Sequence, residues 1–373
     1  MDTQKILKAS PEYRELTDWT VKNGIRKILL VCDDAFRYLK IASFLENEDK
    51  HPGFEIVRFS DFQPNPLYES VVKGVRLFSE TGCEAILAVG GGSALDVAKC
   101  IKLYQGLNPE INYLQQRPMP NTIPMMAVPT TAGTGSEATR YAVIYFDGEK
   151  QSISDTSIIP DTVLMDASSL KTLPAYQKKS TMLDAFCHAI ESFWSVNSTE
   201  ESMKHSANAI RGILSNRTGY LKNDDASNEG MLYAANEAGQ AINITQTTAA
   251  HAMCYKLTSV YGIAHGHAAA LCLKELFPWM IRNTDLCIDP RGERHLGLVF
   301  RKIAEAMDCG STEDAALLFE RIFLETGLET PKAAEEDISL LASSVNPVRL
   351  KNHPVRLDRD TIDRLYHKIL RCE

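Results

Sequence analysis

The first half of the chain carries short, predominantly apolar runs separated by longer mixed segments. The five clearest runs lie at residues 27–32, 54–59, 84–89, 125–128 and 163–166. Runs of this length without polar alternation are typical of parallel strands that are buried on both faces of a sheet. The pattern therefore predicts an α/β domain built on a parallel sheet.

Beyond residue 170 the apolar positions recur with the period of an α-helix. Helices are predicted at residues 178–196, 201–214, 226–252, 295–307, 312–326 and 361–369, and strand-like runs nearly disappear. We therefore predict two domains, an α/β domain over residues 1–170 and an all-α domain over residues 171–373.

Composition narrows the class of protein. Of the 373 residues, 44% are hydrophobic and 24% are charged, as in an ordinary globular protein, and the net charge of -8 argues against a nucleic-acid partner. The nine cysteines form no C-x-x-C pair, which favours free thiols in a reducing compartment. No secretory signal follows Met1, and the longest apolar runs are too short to cross a bilayer. We expect a cytoplasmic protein that binds a small molecule and neither a nucleic acid nor a membrane.

A glycine-rich turn follows the third predicted strand. Gly90, Gly91 and Gly92 come directly after residues 84–89, and Ser93 opens a predicted helix. Glycines let the backbone approach a ligand, and the free N–H groups of a helix N-terminus attract phosphate. The same residues are also compatible with a tight turn that binds no ligand.

Two further segments have features of a dinucleotide site. Asp33 follows the first strand, where a carboxylate can bond the adenosine ribose and repel a 2′-phosphate, which favours NAD(H) over NADP(H). Thr130, Thr131 and Thr134 lie in a loop after the fourth strand and can donate to a pyrophosphate or a ribose. The alternatives are a turn or helix N-cap at Asp33 and a solvated loop at the threonines.

The second half of the chain contains candidate metal ligands in two segments. Asp184 and His188 are four residues apart and share one face of a predicted helix, while His251, His265 and His267 fall within seventeen residues. A carboxylate and imidazoles together suit a divalent transition-metal ion. Each part also has a simpler interpretation: a surface hydrogen bond for the pair, a buried core histidine at 251 and a helix C-cap at 265.

Taken in order, these motifs resemble those of the iron-containing (group III) alcohol dehydrogenases. The similarity rests on residues 64–66, on 90–93 with Asp96 and Lys99, on 129–137, on 184–191, and on 251–253 with 265–266. It extends over nearly the whole chain. The resemblance implies a dehydroquinate synthase-like fold, in which an N-terminal α/β domain binds NAD(P) and a C-terminal helical domain holds the metal and the catalytic residues.

The resemblance also implies roles for individual residues. The four metal ligands would be Asp184, His188, His251 and His265. The residues that contact NAD(H) would be Asp33, Asn65, Gly91, Gly92, Ser93, Asp96, Thr130, Thr131, Thr134 and Lys150. One carboxylate and three imidazoles without a thiolate suit Fe(II), which we favour, with Zn(II) as the alternative. The expected activity is the reversible interconversion of an aldehyde and an alcohol, with the metal ion as Lewis acid and nicotinamide as hydride carrier.

One departure from the family concerns the proton. The family usually carries a second histidine four residues after the position of His251, and this chain has Tyr255 there. A phenol with an ordinary pKa of about 10 is a poor base at neutral pH. Either Tyr255 relays the proton, or water and cofactor hydroxyls do so, with His267 as a further candidate. The plain alternative is that Tyr255 only lines the pocket.

A second departure concerns the substrate. The helix that enters the site would present on one face Thr245, Thr248, His251 and Tyr255. Arg140 and Lys256 add positive charge, so Arg140, Thr248 and Lys256 become candidate contacts for an anionic substrate group. Surface ion pairs would explain the two cations equally well. The chain is similar to family members that reduce phosphonoacetaldehyde to 2-hydroxyethylphosphonate, which indicates a role in phosphonate metabolism.

Other functions stay open at this point. A general short-chain alcohol or diol dehydrogenase of the same family is the main alternative. A metal- and NAD-dependent lyase resembling dehydroquinate synthase and a non-catalytic structural relative are more remote, and the intact set of four ligands argues against the latter. The resemblance further implies a homodimer or a larger homo-oligomer.

Overall fold

A computed structural model describes residues 4–47 and 53–372 of the chain. The chain divides into two compact units. The first comprises Met1–Thr131 and Gly135–Leu173, and the second comprises Ala132–Thr134 and Pro174–Glu373. The division into two independently folding domains, 1–170 and 171–373, remains a prediction.

The first unit is built on a six-stranded parallel sheet, beside which lies a separate two-stranded hairpin. The strands are β1 (Lys5–Lys8), β2 (Lys27–Cys32), β3 (Glu55–Phe59), β4 (Ala85–Gly90), β5 (Met125–Pro129), β6 (Tyr141–Phe146), β7 (Glu149–Ser154) and β8 (Thr162–Met165). The order in the sheet is β1-β8-β5-β4-β2-β3, and β6 and β7 form the hairpin. Its helices are α1 (Arg14–Lys22), α2 (Lys40–Leu45), α3 (Tyr68–Thr81) and α4 (Gly92–Tyr104).

The central strands are apolar at nearly every position because both faces of the sheet are covered. On β2, Leu29 and Val31 belong to the core on one face, while Ile28, Leu30 and Cys32 belong to the core on the other. The prediction of a buried parallel sheet is thereby confirmed. The edge strand β1 escaped prediction because lysines stand at both of its ends, and β6 and β7 form an antiparallel hairpin that was also missed.

The second unit is almost entirely helical, as predicted. Its helices are α5 (Ala175–Trp194), α6 (Glu200–Leu221), α7 (Asp225–Thr245), α8 (Ala249–Tyr261), α9 (His265–Arg282), α10 (Glu293–Ala306), α11 (Thr312–Glu325), α12 (Glu335–Ser344) and α13 (Arg359–Ile369). Two short strands, β9 (Lys332–Ala333) and β10 (Arg371–Cys372), pair in parallel. None of the helices that the structure describes is both long enough and apolar enough to span a membrane.

The single helix predicted over residues 226–252 is wrong. The chain forms α7 and α8 instead, because Gln246 has φ 61° and ψ 174°, a conformation that ends α7 and that glycine alone adopts readily. The break is held by hydrogen bonds: Asn352 Nδ2 donates to Gln246 Oε1 at 2.8 Å, and Thr245 Oγ1 donates to the Gln246 carbonyl at 2.9 Å. It lies three residues before α8 and fixes where that helix begins.

The backbone at Gln246 generates a prediction about stability. Gln246→Gly and Gln246→Ala both remove the side-chain bond to Asn352, but only glycine relieves the strained conformation. We expect the glycine variant to be more stable than the alanine variant by about 1 kcal/mol or more. Thermal unfolding of the two variants under identical conditions measures this difference. Equal unfolding temperatures would show that the backbone at this position is not strained.

Candidate functional site

Three buried side chains in the second unit bring their ligand atoms together. Asp184 and His188 lie one turn apart on α5, and His251 lies in the first turn of α8. Asp184 Oδ1 is 3.8 Å from His188 Nε2 and 3.4 Å from His251 Nε2, and one ligand atom from each residue lies within 4.8 Å of the others. The two imidazoles are stacked, with 4.5 Å between ring centroids. A carboxylate and two imidazoles of this geometry fit a divalent transition-metal ion.

The electrostatics of this group favour a cation at its centre. Burial acts against the charge of Asp184, but His188, His251 and His265 outweigh that effect and hold the pKa of the carboxyl below its ordinary value. Burial also lowers the pKa of His188, which keeps its imidazole neutral. A neutral imidazole and an ionised carboxylate are the protonation states that a metal ion requires.

His265 lies beside this group. It is the first residue of α9 and is half-buried. Its ring centroid is 5.3 Å from that of His251, and its Nδ1 is 3.5 Å from the thiol of Cys254. The interpretation of His265 as a helix C-cap is wrong, because the residue begins a helix. The structure therefore gathers three of the four predicted metal ligands tightly and places the fourth next to them.

Gly266 explains how α9 comes so close to α5. A Cβ at this position would overlap the carbonyl oxygen of Ser180 and would lie 2.6 Å from the Cβ of Asp184. Only glycine permits this approach, so the residue that follows His265 sets the distance between the two helices.

Glu191 is a functional residue that the sequence reasoning quoted within a motif but assigned no role. Its side chain is fully buried, and Oε2 pairs with His251 Nδ1. Oε1 accepts hydrogen bonds from Thr248 Oγ1 at 2.6 Å, from Thr248 N at 3.2 Å and from Ala250 N at 3.0 Å. The carboxylate thus fixes the His251 ring so that Nε2 faces Asp184, and it also satisfies N–H groups at the start of α8.

A sequence signal for Glu191 exists. Asp184, His188 and Glu191 follow one another at intervals of four and three residues, so all three lie on the same face of α5. Burial acts to raise the pKa of Glu191, but the adjacent His251 outweighs it and holds that pKa below the ordinary value. Glu191 and Asp184 in turn raise the pKa of His251 to about 9 against the effect of burial. Without a metal ion the imidazole therefore holds a second proton, which a metal ion bound at Nε2 would displace.

The structure corrects the predicted role of Thr248 and the predicted polar face. The Thr248 hydroxyl is buried, donates to Glu191 Oε1 and accepts from Trp194 Nε1 at 2.9 Å. Thr248 therefore orients a carboxylate and does not face a substrate. Thr245 ends α7, before the break, and its hydroxyl is 2.9 Å from Ser192 Oγ, so it shares no helix face with His251 and Tyr255.

The other predicted catalytic and substrate residues lie as follows. Tyr255 is half-buried on α8, and its ring is stacked on that of His265 with 5.6 Å between centroids. Burial raises the pKa of its phenol, although Arg349 opposes this.

His267 is buried, and its Nδ1 is 3.2 Å from the hydroxyl of Tyr176, so it is not part of the three-residue group. Arg140 donates to the hydroxyl of its neighbour Tyr141, and Lys256 is half-buried on α8.

Arg349 was not singled out from the sequence. It lies in a short 3-10 turn, Pro347–Asn352, and donates from Nη1 to the Tyr255 hydroxyl at 3.2 Å. Its guanidinium carbon is 4.7 Å from the centroid of the Tyr255 ring. Ninety-four residues separate the two side chains along the chain, so no local pattern could have connected them.

In the first unit, predicted cofactor residues gather where parallel strands end. Asp33 follows β2 and caps the next turn by accepting from Ala35 N at 2.9 Å. Gly91 follows β4 and is the N-cap of α4, whose first turn has no side-chain cap. Thr130 N donates to the Gly90 carbonyl at 3.0 Å, and a Cβ at Gly91 would lie 3.3 Å from the methyl group of Thr131. Uncapped N–H groups beside a glycine are suited to bind phosphate.

A buried lysine fixes the loop after β5. Lys99 on α4 is fully buried and donates to Ser136 Oγ, Thr139 Oγ1 and the Tyr141 carbonyl at 2.8–3.2 Å. Burial lowers the pKa of Lys99 to about 8, with Asp96 and Glu137 acting in the opposite direction.

Asp96 joins the same loop to α4. It accepts from Ser136 Oγ and Val143 N, so both of its oxygens hold protein groups. Among the remaining predicted cofactor residues, Gly92 and Ser93 lie in the first turn of α4 and Lys150 lies on β7. Asn65 has φ 60° between two prolines, and Thr134 belongs to the second unit.

Comparison with known proteins agrees with the chemistry of these residues. The family described as iron-containing alcohol dehydrogenase matches residues 3–167, and the C-terminal part of the Fe-containing alcohol dehydrogenase family matches residues 178–370. The phosphonoacetaldehyde reductase of Streptomyces viridochromogenes is 31% identical over 314 residues, which cover 80% of this chain and 79% of the relative. The NAD-dependent methanol dehydrogenase of Bacillus methanolicus is 28% identical and covers 86% of each chain.

The fold has close counterparts among solved structures. The crystal structure of sulfoacetaldehyde reductase from Bifidobacterium kashiwanohense in complex with NAD+ has a TM-score of 0.86. It is 24% identical in sequence and covers 98% of this chain and 96% of its own. The combination of a parallel six-stranded sheet and a helical second unit is therefore an established architecture.

Gly266→Ala is expected to disturb the metal-binding group. The added Cβ would push α9 away from Ser180 and Asp184 and would displace His265. Overpacking of this kind costs about 1–3 kcal/mol, and we expect the affinity for Co(II), followed by its absorption spectrum, to fall on the order of 10-fold or more. Gly297→Ala is the control, because no atom lies within 4 Å of a Cβ there, and it should leave metal affinity unchanged. Equal behaviour of the two variants would refute the role given to Gly266.

Glu191→Gln tests the carboxylate behind His251. The amide keeps the shape but removes the charge that orients the imidazole, and metal affinity should fall about 10- to 100-fold. Glu237→Gln is a matched control, since Glu237 also pairs with a histidine, His205, at 2.7 Å, on different helices. Metal titration of the purified variants measures both. An unchanged affinity in Glu191→Gln would mean that His251 is oriented by packing alone.

Proposed function

The chain belongs to the iron-containing alcohol dehydrogenase family, and on this basis we propose that it reduces phosphonoacetaldehyde to 2-hydroxyethylphosphonate with NADH. The observation that carries the metal-dependent part is the buried group of Asp184, His188 and His251 with Glu191 behind it. The similarity to a phosphonoacetaldehyde reductase over 80% of the chain supports the choice of substrate.

The donor set fits the metal that the family name implies. Asp184, His188, His251 and His265 would hold a divalent ion, Fe(II) in preference to Zn(II), because the set has oxygen and imidazole donors and no thiolate among the four. Glu191 would keep the proton of His251 on Nδ1 and leave Nε2 free as a ligand atom. The ion would supply Lewis acidity to a carbonyl oxygen, and nicotinamide would supply the hydride.

The first unit fits NAD(H) in two respects. The uncapped N–H groups at the start of α4, beside Gly91 and Thr131, would hold a pyrophosphate, and Lys99 would keep the neighbouring loop in place. Asp33, at the carboxyl end of β2, would accept from a ribose hydroxyl and repel a 2′-phosphate, which is the basis for preferring NAD(H) to NADP(H). The protein would act in the cytoplasm as a homodimer or a larger homo-oligomer.

Metal removal and a panel of aldehydes test the proposal. Protein stripped with a chelator should be inactive, and reloading with Fe(II) or Zn(II) should restore NADH oxidation. We expect kcat/KM for phosphonoacetaldehyde to exceed that for propanal on the order of 100-fold, because a site built for a charged group rejects an analogue that lacks it. The same assay with NADPH measures the cofactor preference, and Asp184→Asn serves as the metal-site control.

Other results of the same assays would support the alternative functions. Equal or higher rates with propanal or lactaldehyde would support a general short-chain alcohol or diol dehydrogenase, for which the likeness to a methanol dehydrogenase is the supporting observation. Absence of turnover with every aldehyde after reloading, in wild type and Asp184→Asn alike, would support a non-catalytic relative.

A further inference from the structure

We propose that Arg349 recognises the anionic end of the substrate, and that Tyr255 supports its guanidinium. This inference rests on the proposed function, since it concerns the substrate of the same site. Arg349 thereby takes the place of Arg140, Thr248 and Lys256, which the sequence suggested as contacts for the anion.

The first observation is the charge of Arg349. The residue is half-buried, and within the part of the chain that the structure describes its side-chain contacts are with Tyr255, not with a carboxylate. Other arginines of the protein have acidic partners, such as Arg26 with Glu84 and Arg291 with Asp289. A guanidinium has five N–H donors, and the contact with Tyr255 uses one of them. The remaining donors suit a phosphonate, sulfonate or carboxylate.

The second observation is the position of Arg349 relative to the metal-binding group. The Tyr255 ring lies 4.7 Å from the guanidinium carbon of Arg349, and its centroid is 5.6 Å from that of His265, with 23° between the two ring planes. The ring of His265 is in turn 5.3 Å from that of His251. The Tyr255 ring therefore contacts both the cation and a proposed metal ligand, which places Arg349 in the neighbourhood of the metal-binding group.

The third observation is that the turn carrying Arg349 is held firmly. Asn352 donates to Gln246 Oε1 and accepts from Asn197 Nδ2 at 2.9 Å, and its carbonyl accepts from Val196 N at 3.0 Å. At the other end, Asn346 accepts from Val348 N at 2.9 Å. The turn is thus tied to the break before α8, and the guanidinium is positioned without help from a ligand. Such preorganisation lowers the entropic cost of binding.

The two cations that the sequence suggested are less suitable. The guanidinium of Arg140 donates twice to the Tyr141 hydroxyl, at 3.0 Å and 3.1 Å, and packs over the same ring. Lys256 follows Tyr255 on α8, and successive helical residues point about 100° apart, so it leaves the side of the helix that Tyr255 and His251 share.

The experiment compares charged and neutral aldehydes in matched variants. Arg349→Met removes the charge and keeps much of the side-chain volume, Arg349→Lys keeps the charge without the planar fork, and Lys351→Met removes an exposed charge two residues away as a control. Substrates are phosphonoacetaldehyde, sulfoacetaldehyde and propanal, assayed with metal-loaded enzyme and NADH.

The expected result is selective. In Arg349→Met, kcat/KM for the two anionic aldehydes should fall on the order of 10- to 100-fold, mainly through KM, because hydrogen bonds to a charged group are lost. The value for propanal should change by less than about 3-fold, since the charged contact contributes nothing to a neutral substrate. Arg349→Lys should fall between Arg349→Met and wild type, and Lys351→Met should match wild type. Retained turnover of propanal also shows that the variant folds and binds metal.

Tyr255→Phe separates the two roles of the phenol. If the ring only supports Arg349, this variant should raise KM for the anionic aldehydes and leave kcat for propanal near the wild-type value. A large fall in kcat for all three aldehydes would show that the hydroxyl relays a proton and would overturn the supporting role proposed for the ring.

The failure of this inference is distinct from the failure of the proposed function. If wild type prefers the anionic aldehydes and Arg349→Met keeps that preference, the function stands and the role of Arg349 is refuted. If wild type shows no preference for anionic aldehydes, the proposed substrate is wrong, and the inference falls with it.

Discussion

The buried carboxylate of Glu191 is the interaction on which the rest of the metal-binding group depends. A charge without access to water is very unfavourable unless it is paired and hydrogen-bonded. Glu191 meets this condition through His251, Thr248 and the N–H of Ala250. These contacts join the end of α5 to the beginning of α8, so the ion pair that satisfies Glu191 also determines where His251 directs its second nitrogen. The position of α8, the ring plane of His251 and the approach to Asp184 all follow from one carboxylate.

The first unit also contains a buried charged side chain that holds the backbone, and here the charge is positive. Lys99 is fully buried and places its three donors on the loop after β5 and on the start of β6. The loop can therefore be rich in glycine and hydroxyl residues and still keep one conformation. In both units a buried ionised side chain holds the backbone next to the candidate ligand site.

The sequence predicted those features that depend on neighbouring residues. The buried strands were visible because two-sided burial leaves continuous apolar runs, and Asp184 with His188 was visible because four residues make one helical turn. Features that depend on contacts between distant segments were not visible. The break at Gln246 is stabilised by Asn352, more than one hundred residues away, whereas the helical pattern of the sequence continues through it. Arg349 meets Tyr255 for the same reason, through tertiary packing. The helical spacing of Asp184 and His188 also includes Glu191. Its role could not be predicted, because that role depends on contacts with the start of α8.

The turn Pro347–Asn352 has a consequence for how this architecture can change over evolutionary time. The proposed metal ligands all lie on the helices α5, α8 and α9, whereas Arg349 lies on a separate turn whose Asn352 bonds to residues outside those helices, Gln246, Asn197 and Val196. Substitutions in this turn could therefore change the substrate preference without changing the helices that hold the proposed metal ligands. A few substitutions in six residues could exchange a charged substrate for a neutral one while the helices keep their sequence, so a lineage could acquire new substrates without first losing its chemistry.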